Sequence, residues 1–158
     1  MKGMPCRTAV VAALALAAAA SASAQAPPQP DYHPSLADLM TLAVQPRHIK
    51  IGLAGQARNW RYLTYEVDEL KNAFNRIART VPTYSNQPLE PVIGARIRPQ
   101  IEQLEAAVKA QDARRFDSAY ADLTDACNTC HKALMKDWIV IRAPNAQSYP
   151  DQVFANPR

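Results

Sequence analysis

The clearest pattern along the chain is a row of apolar residues from Ile49 to Ile77 that recur at intervals of three, four or seven positions. The row consists of Ile49, Leu53, Trp60, Leu63, Val67, Leu70, Phe74 and Ile77. This spacing places the side chains on one face of a helix, and such a row suits helices packed about 20° from antiparallel in a bundle. Gly52 and Gly55 leave open whether this is one helix or two with a bend, and Val81-Pro82 is expected to end it.

A second amphipathic region follows a short break. Residues 82–90 are rich in proline and polar side chains and predict a loop. Pro91 suits the first turn of a helix whose apolar face would consist of Ile93, Ile97, Ile101, Leu104 and Val108. Pro99 interrupts this face, so it must either kink the helix or start a second one.

The last long helix is predicted to begin after Asp112, whose carboxylate can accept a hydrogen bond from a free backbone amide. Its apolar stripe consists of Phe116, Tyr120, Leu123, Cys127, Cys130 and Leu134. This helix therefore carries two cysteines on the face that is expected to be buried.

Near the other end of the chain, Ser35 and Asp38 have the form of a helix N-cap with an acid in the first turn. The short helix that follows has an apolar face of Leu36, Leu39, Met40 and Ala43 and is expected to end before Pro46. Strand-like alternation is nearly absent from the sequence. The fold class predicted is all-α, similar to a four-helix bundle, with the cysteines on the last long helix and an irregular C-terminal tail.

Residues 1–24 have the composition of a secretory signal peptide, which is expected to be cleaved after Ala24. Lys2 and Arg7 form a basic start, and residues 8–20 form an apolar run. Small residues stand before the expected cleavage point. The remaining chain divides into a flexible arm over 25–34, a helical domain over 35–142 and an irregular tail over 143–158. Export to the periplasm follows as an expectation, and no later segment resembles a membrane span.

Charge adds little to this description. The chain has 18 Lys and Arg against 14 Asp and Glu, and removal of Lys2 and Arg7 with the leader would reduce its net charge from +4 to +2. Such a small excess does not favour nucleic acid as a partner.

The chemistry of the chain is concentrated in Cys127-Asn128-Thr129-Cys130-His131, the pattern of covalent haem attachment. Residues three and four apart are neighbours on a helix, so both thiols face the same way and can form thioethers with two vinyl groups along one haem edge. His131 can then place a neutral imidazole on the iron from the same face. One haem c is the cofactor expected, with His131 as its axial ligand.

Three other roles are conceivable for the two cysteines, and each is less favoured than haem attachment. A structural zinc site needs four ligands, but the mature chain would hold two cysteines and His33, His48 and His131. A thiol redox pair normally lies at a helix N-terminus, whereas Cys127 is expected about four turns into its helix. A disulfide within a regular helical turn would be strained.

The motif near the end of the last helix of a helical bundle resembles the class II c-type cytochromes, the cytochrome c prime group of the bacterial periplasm. The resemblance covers roughly residues 35–138, and its specific part is Cys127, Cys130 and His131. It implies a four-helix bundle with haem that is either five-coordinate or has a sixth ligand from the first helix. Homodimers occur in this group, so a homodimer is one expected state.

The sixth iron ligand has two candidates in the first half of the chain. Met40 belongs to the first short helix, and a thioether there would favour electron transfer, but a core methionine is the more common role. His48 lies between Arg47 and Lys50 and could bind the iron, although a surface or capping role is the more common one. His33, in the flexible arm, is a weaker candidate.

Other side chains could surround the haem or simply pack in the core. Arg58 and Arg61 are candidates to pair with haem propionates. The aromatic candidates for the pocket are Trp60, Phe116, Tyr120 and Trp138.

The function predicted is electron transfer by a periplasmic c-type cytochrome, with an unidentified redox protein as its partner. The alternative is a haem sensor or small-gas-binding protein, which is expected if the sixth position is vacant. An enzyme is disfavoured, because no carboxylate pair, nucleophile with a base, or phosphate loop can be recognised.

Overall fold

The computed structural model describes residues 31–146 and 148–156, and over these residues the protein is mostly helical, as predicted for the all-α class. The signal peptide predicted for 1–24 and residues 25–30 of the predicted arm lie outside the described residues. In chain order the elements are α1 (Leu36–Leu39), a π-helix (Met40–Val44), α2 (Gln45–Gln56), α3 (Trp60–Thr80), β1 (Thr83–Tyr84), β2 (Gln87–Pro88), α4 (Leu89–Arg96), α5 (Arg98–Ala110) and α6 (Ala113–Ala133).

The first helix begins as expected but does not end before Pro46. Ser35 and Asp38 form a capping box, in which the Asp38 amide donates to Ser35 Oγ and the Ser35 amide donates to the Asp38 carboxylate. The chain then stays helical through Pro46, because the turn ahead of it widens into the π-helix, where the Gln45 amide donates to the Met40 carbonyl. A widened turn accommodates proline, which lacks an amide proton and has a bulky ring.

The long amphipathic region consists of two helices, and the break does not lie at its glycines. Arg58 adopts a left-handed backbone conformation with a φ of 52°. The side chain of Asn59 then accepts a hydrogen bond from the Tyr62 amide and caps α3. Gly52 and Gly55 instead lie at close contacts within α2, where a Cβ on Gly52 would be 2.6 Å from Tyr120 Oη. α3 ends at Thr80, as Val81-Pro82 predicts.

The predicted loop contains a small antiparallel hairpin, with Thr83 opposite Pro88 and Tyr84 opposite Gln87. Its two turn residues, Ser85 and Asn86, both have positive φ values, as expected for a two-residue hairpin turn. Pro99 starts α5 rather than kinking a single helix, and α6 begins after Asp112, whose side chain accepts from the Arg115 amide.

The core lies where the apolar faces of α2, α3, α5 and α6 meet. α3 packs against α2 and α5, and α5 packs against α6. Side chains that are almost fully buried include Ile51, Leu63, Leu70, Ile77, Leu104 and Leu123. Each buried side chain of this size stabilises the fold by about 1.5–3 kcal/mol. Within the described residues, none of the helices combines the length and the apolar character that crossing a membrane requires.

Candidate functional site

The cysteines and histidine of the motif lie in the last two turns of α6. Cys130 is buried, whereas Cys127 and His131 are half-buried, and both cysteines are free thiols. The helix ends at Ala133, and Met135, with a φ of 56°, turns the chain back. The Lys136 amide donates to the His131 carbonyl at 2.7 Å. The motif is therefore held in regular helical geometry up to the point where the chain reverses.

A largely apolar cavity of about 290 Å³ opens beside the motif. Cys127, Cys130 and His131 form one wall together with Leu134. The π-helix and α2 contribute Met40, Val44 and His48. The structure thus brings together around one cavity the three motif residues and both candidates for a sixth ligand, which are far apart in the sequence.

The ring of His131 is oriented by a backbone carbonyl. Nδ1 lies 2.7 Å from the carbonyl oxygen of Ile139. Because a carbonyl only accepts, Nδ1 carries the proton, and in the neutral tautomer the lone pair therefore lies on Nε2. Histidines that bind metals usually donate their other ring N–H to a carbonyl or carboxylate in this way.

The two thiols have the electrostatics of buried, neutral groups. Burial raises the pKa of the Cys127 thiol to about 12, and the neighbouring Cys130 adds to this shift. Burial also raises the pKa of Cys130, although the charge of Arg96 acts in the opposite direction. A redox-active pair has a lowered thiol pKa, so these environments do not favour the thiol redox alternative.

His48 belongs to α2, and its side chain is buried against α6, with 4% of the residue exposed. Its Nε2 is 2.9 Å from Thr124 Oγ1, and that hydroxyl donates to the Tyr120 carbonyl at 2.8 Å. The histidine must therefore donate from Nε2, which leaves Nδ1 facing the Tyr120 hydroxyl at 3.2 Å. The Tyr120 hydroxyl donates its one proton to the His48 carbonyl at 2.9 Å, so the hydrogen bond of the ring is the one that Nε2 donates to Thr124. Desolvation lowers the pKa of His48 to about 4.

Met40 is half-buried at the first position of the π-helix. Its side chain lines the cavity and also packs against the core. π-Helical turns are often found at functional sites, since the extra residue redirects the side chains around it. His33, by contrast, is exposed and does not line the cavity.

The other candidate side chains lie away from the cavity. Phe116 stacks on Tyr120 with ring centroids 5.9 Å apart, and Trp60 packs edge-on against Phe116, so these three rings belong to the core. Trp138 is 69% exposed. Arg58 forms a two-pronged ion pair with Asp117 at 2.8 Å.

Sequence reasoning missed several residues of the cavity wall. Phe74 and Tyr84 are its aromatic members, and Ile97 comes from the junction of α4 and α5. Residues 136–141, here called the strap, contribute Lys136, Ile139 and Ile141. The apolar run from Trp138 to Ile141 indicates in the sequence that part of this segment is buried. It has no helical or strand-like spacing, so its place in the fold could not be predicted.

Among residues 31–146 and 148–156, no three His, Cys, Asp or Glu side chains form a cluster that could hold a metal ion. Haem iron places a different demand on a protein, since one or two axial ligands suffice. Comparison with models of protein families, with characterised proteins and with solved structures gives no match to this chain.

Proposed function

We propose that the protein is a periplasmic c-type cytochrome that holds one haem c through thioethers to Cys127 and Cys130, with His131 as an axial iron ligand. The observation that supports this most directly is that the three side chains lie on one wall of an apolar cavity, with Nε2 of His131 bearing the lone pair. Electron transfer rather than catalysis is its proposed role, with haem c, when bound, supplying the iron that changes oxidation state.

The residues present fit the chemistry of attachment. Each thioether forms when the S–H of a cysteine adds across a vinyl group, so that sulfur bonds to one carbon and the hydrogen goes to the other. No oxidant is needed. The two sulfurs come from one face of α6, and cavity side chains such as Val44 and Leu134 would keep water from the apolar body of a bound porphyrin.

The arrangement of helices supports a relation to class II cytochromes. In the described residues, α2 contacts α3, α3 contacts α5, α5 contacts α6, and α6 contacts α2. We propose that these four helices form the four-helix bundle that the resemblance implies. A redox protein is the proposed partner, and a homodimer is the proposed assembly in keeping with the same resemblance.

The structure favours Met40 over His48 as the sixth ligand. His48 would have to give up the hydrogen bond that its Nε2 donates to Thr124 before that nitrogen could reach iron, and its Nδ1 faces the Tyr120 hydroxyl oxygen at 3.2 Å. Met40 has no such cost, since a thioether is only a weak hydrogen-bond acceptor. If Met40 keeps its present packing, the iron is five-coordinate, and gas binding becomes the second candidate function.

Haem attachment is tested by the intact mass of protein exported from a host that matures c-type cytochromes. We expect the mass of the chain from Gln25 plus one haem, and loss of all covalent haem in the Cys127→Ala/Cys130→Ala double variant. Thr129→Ala is the matched control, because Thr129 is exposed between the two cysteines, and it should retain the haem. A colourless parent protein with the mass of unmodified polypeptide would overturn the proposal.

The sixth ligand is tested by optical spectra of Met40→Ala and His48→Ala. We expect Met40→Ala to convert a low-spin spectrum to a high-spin one that responds to carbon monoxide. His48→Ala should leave the spin state unchanged. A parent protein that is high-spin and binds carbon monoxide at once would instead support the gas-binding alternative.

A further inference from the structure

The strap runs back over the end of α6 and is held there by hydrogen bonds. Asn128 makes two of them with one residue, because its Nδ2 donates to the Ile141 carbonyl at 2.9 Å and its Oδ1 accepts from the Ile141 amide at 2.7 Å. Within the strap, the Ile139 amide donates to the Lys136 carbonyl. The side-chain amide of Asn128 therefore pairs with both backbone groups of Ile141, as a neighbouring strand would in a sheet, and anchors the far end of the strap.

Two of the four apolar residues in the strap contribute little to its packing. Trp138 is 69% exposed and Val140 is 74% exposed, so the burial of these two large apolar side chains contributes little. The strap is irregular apart from a turn at its start. Ile139 and Ile141 line the cavity, so the position of the strap over α6 depends on the packing of these two residues and on its hydrogen bonds to Asn128 and to His131.

The strap in turn determines the environment of the histidine. Its Ile139 carbonyl accepts from Nδ1 of His131, and Ile139 is only two residues from the anchored Ile141. Asn128 and His131 are three residues apart and hence neighbours on α6. The anchor, the carbonyl and the imidazole thus form a short connected path.

We propose that Asn128 is a positioning residue of the site, which acts by holding the strap so that the Ile139 carbonyl orients and polarises His131. This inference rests on the proposed function. A hydrogen bond from Nδ1–H raises the basicity of the imidazole, and a more basic ligand stabilises oxidised iron over reduced iron. The strap also covers the cavity with Ile139 and Ile141, which limits access of solvent.

The test compares Asn128→Ala with the parent in mature, exported protein. Loss of the two hydrogen bonds to Asn128 should make amide exchange at Ile141 and trypsin cleavage after Lys136 about tenfold faster. The reduction potential should move to a more positive value, since the imidazole becomes a weaker donor. The covalent haem, measured by mass, should remain.

Two further variants make the result specific. Thr129→Ala alters the exposed neighbouring position and should leave both strap exchange and potential as in the parent. Asn128→Asp keeps an acceptor for the Ile141 amide, so its rate of amide exchange at Ile141 should fall between those of the parent and Asn128→Ala. An Asn128→Ala protein with unchanged potential, or with unchanged exchange at Ile141, would overturn the inference. A parent without covalent haem would instead overturn the proposed function, and its mass reveals this before any variant is compared.

Discussion

His48 shows at the scale of a residue how burial sets the state of an ionisable side chain. His48 is 4% exposed, and its ring donates a hydrogen bond to Thr124 and stacks on Tyr120, both on α6. Desolvation disfavours the charged ring and lowers its pKa to about 4, from 6.5 in an unfolded chain. The folded protein therefore keeps His48 neutral at pH values where the unfolded chain protonates it.

This difference predicts a loss of stability in mild acid. Between pH 6.5 and about 4 the unfolded state binds more protons at His48, so the free energy of unfolding should fall as pH falls. The contribution of His48 is fully present above pH 6.5 and amounts to about 3 kcal/mol over that window. Urea unfolding at a series of pH values measures it.

His48→Gln should remove most of that pH dependence, because glutamine does not titrate. His33→Gln is the matched control, since His33 is exposed, and it should retain the dependence of the parent. The same slope for His48→Gln and the parent would contradict this account of His48.

The tautomer of His131 and the thiol pKa values of the motif likewise depend on the surrounding structure. Cys127, Cys130 and His131 are identified as a haem-attachment pattern by sequence spacing, which is local. The tautomer of His131 is decided by the Ile139 carbonyl, and the high thiol pKa values are decided by burial. Neither could be predicted from the five letters of the motif.

At the scale of the element, the glycines of α2 are packing positions. A Cβ on Gly55 would clash with the ring of Phe116, which is itself buried in α6. Phe116 is held between Trp60 and Tyr120, so its ring has little room to move. The close approach of α2 to α6, which places His48 beside the motif helix, depends on this glycine.

Gly55→Ala should therefore lower the free energy of unfolding by about 1–3 kcal/mol, as expected for overpacking of a core. Gly94→Ala in α4 is the matched control. A Cβ there would meet only the end of the flexible Arg98 side chain, at 3.4 Å, so this variant should gain about 0.5–1 kcal/mol from reduced backbone freedom. Equal effects of the two substitutions, measured by urea unfolding, would contradict the packing role of Gly55.

Elements were predicted best where a periodic face and a cap agreed. The start of α6 after Asp112 and the start of α1 after Ser35 are confirmed, as is the end of α3 before Val81. The passage through Pro46 was predicted wrongly, because the rule that proline ends a helix does not anticipate a widened π-helical turn. The hairpin at 83–88 was missed because strands of two residues show no alternation.

At the scale of the whole molecule, the C-terminal residues bind across the junction of α2 and α3. The Gln56 side chain donates to the Pro144 carbonyl, and the Asn59 side chain donates to the Phe154 carbonyl. Phe154 is 6% exposed and packs edge-on against Tyr62. These contacts join residues about 90 positions apart and secure the end of the chain that follows the strap.

Phe154→Ala should consequently reduce the free energy of unfolding by about 3 kcal/mol, because it empties a buried aromatic site. Val153→Ala is the matched control, since Val153 is 81% exposed and its truncation should change stability by less than about 0.5 kcal/mol. Thermal unfolding of the three proteins provides the comparison, and a Phe154→Ala protein as stable as the parent would show that the tail contributes little.

The sequence by itself determined the helical class, most helix ends and the haem-attachment hypothesis, because each depends on the spacing of residues that lie close together in the sequence. Tertiary structure decided which distant residues share the cavity: His48 lines the same cavity as Cys127 because α2 packs against α6, and Met40 lines it from the π-helix that leads into α2. It also decided the place of the strap, whose pairing with Asn128 joins two segments across a reversal of the chain that has no periodic pattern. Helical periodicity is a local property, whereas a cavity is formed by packing between elements.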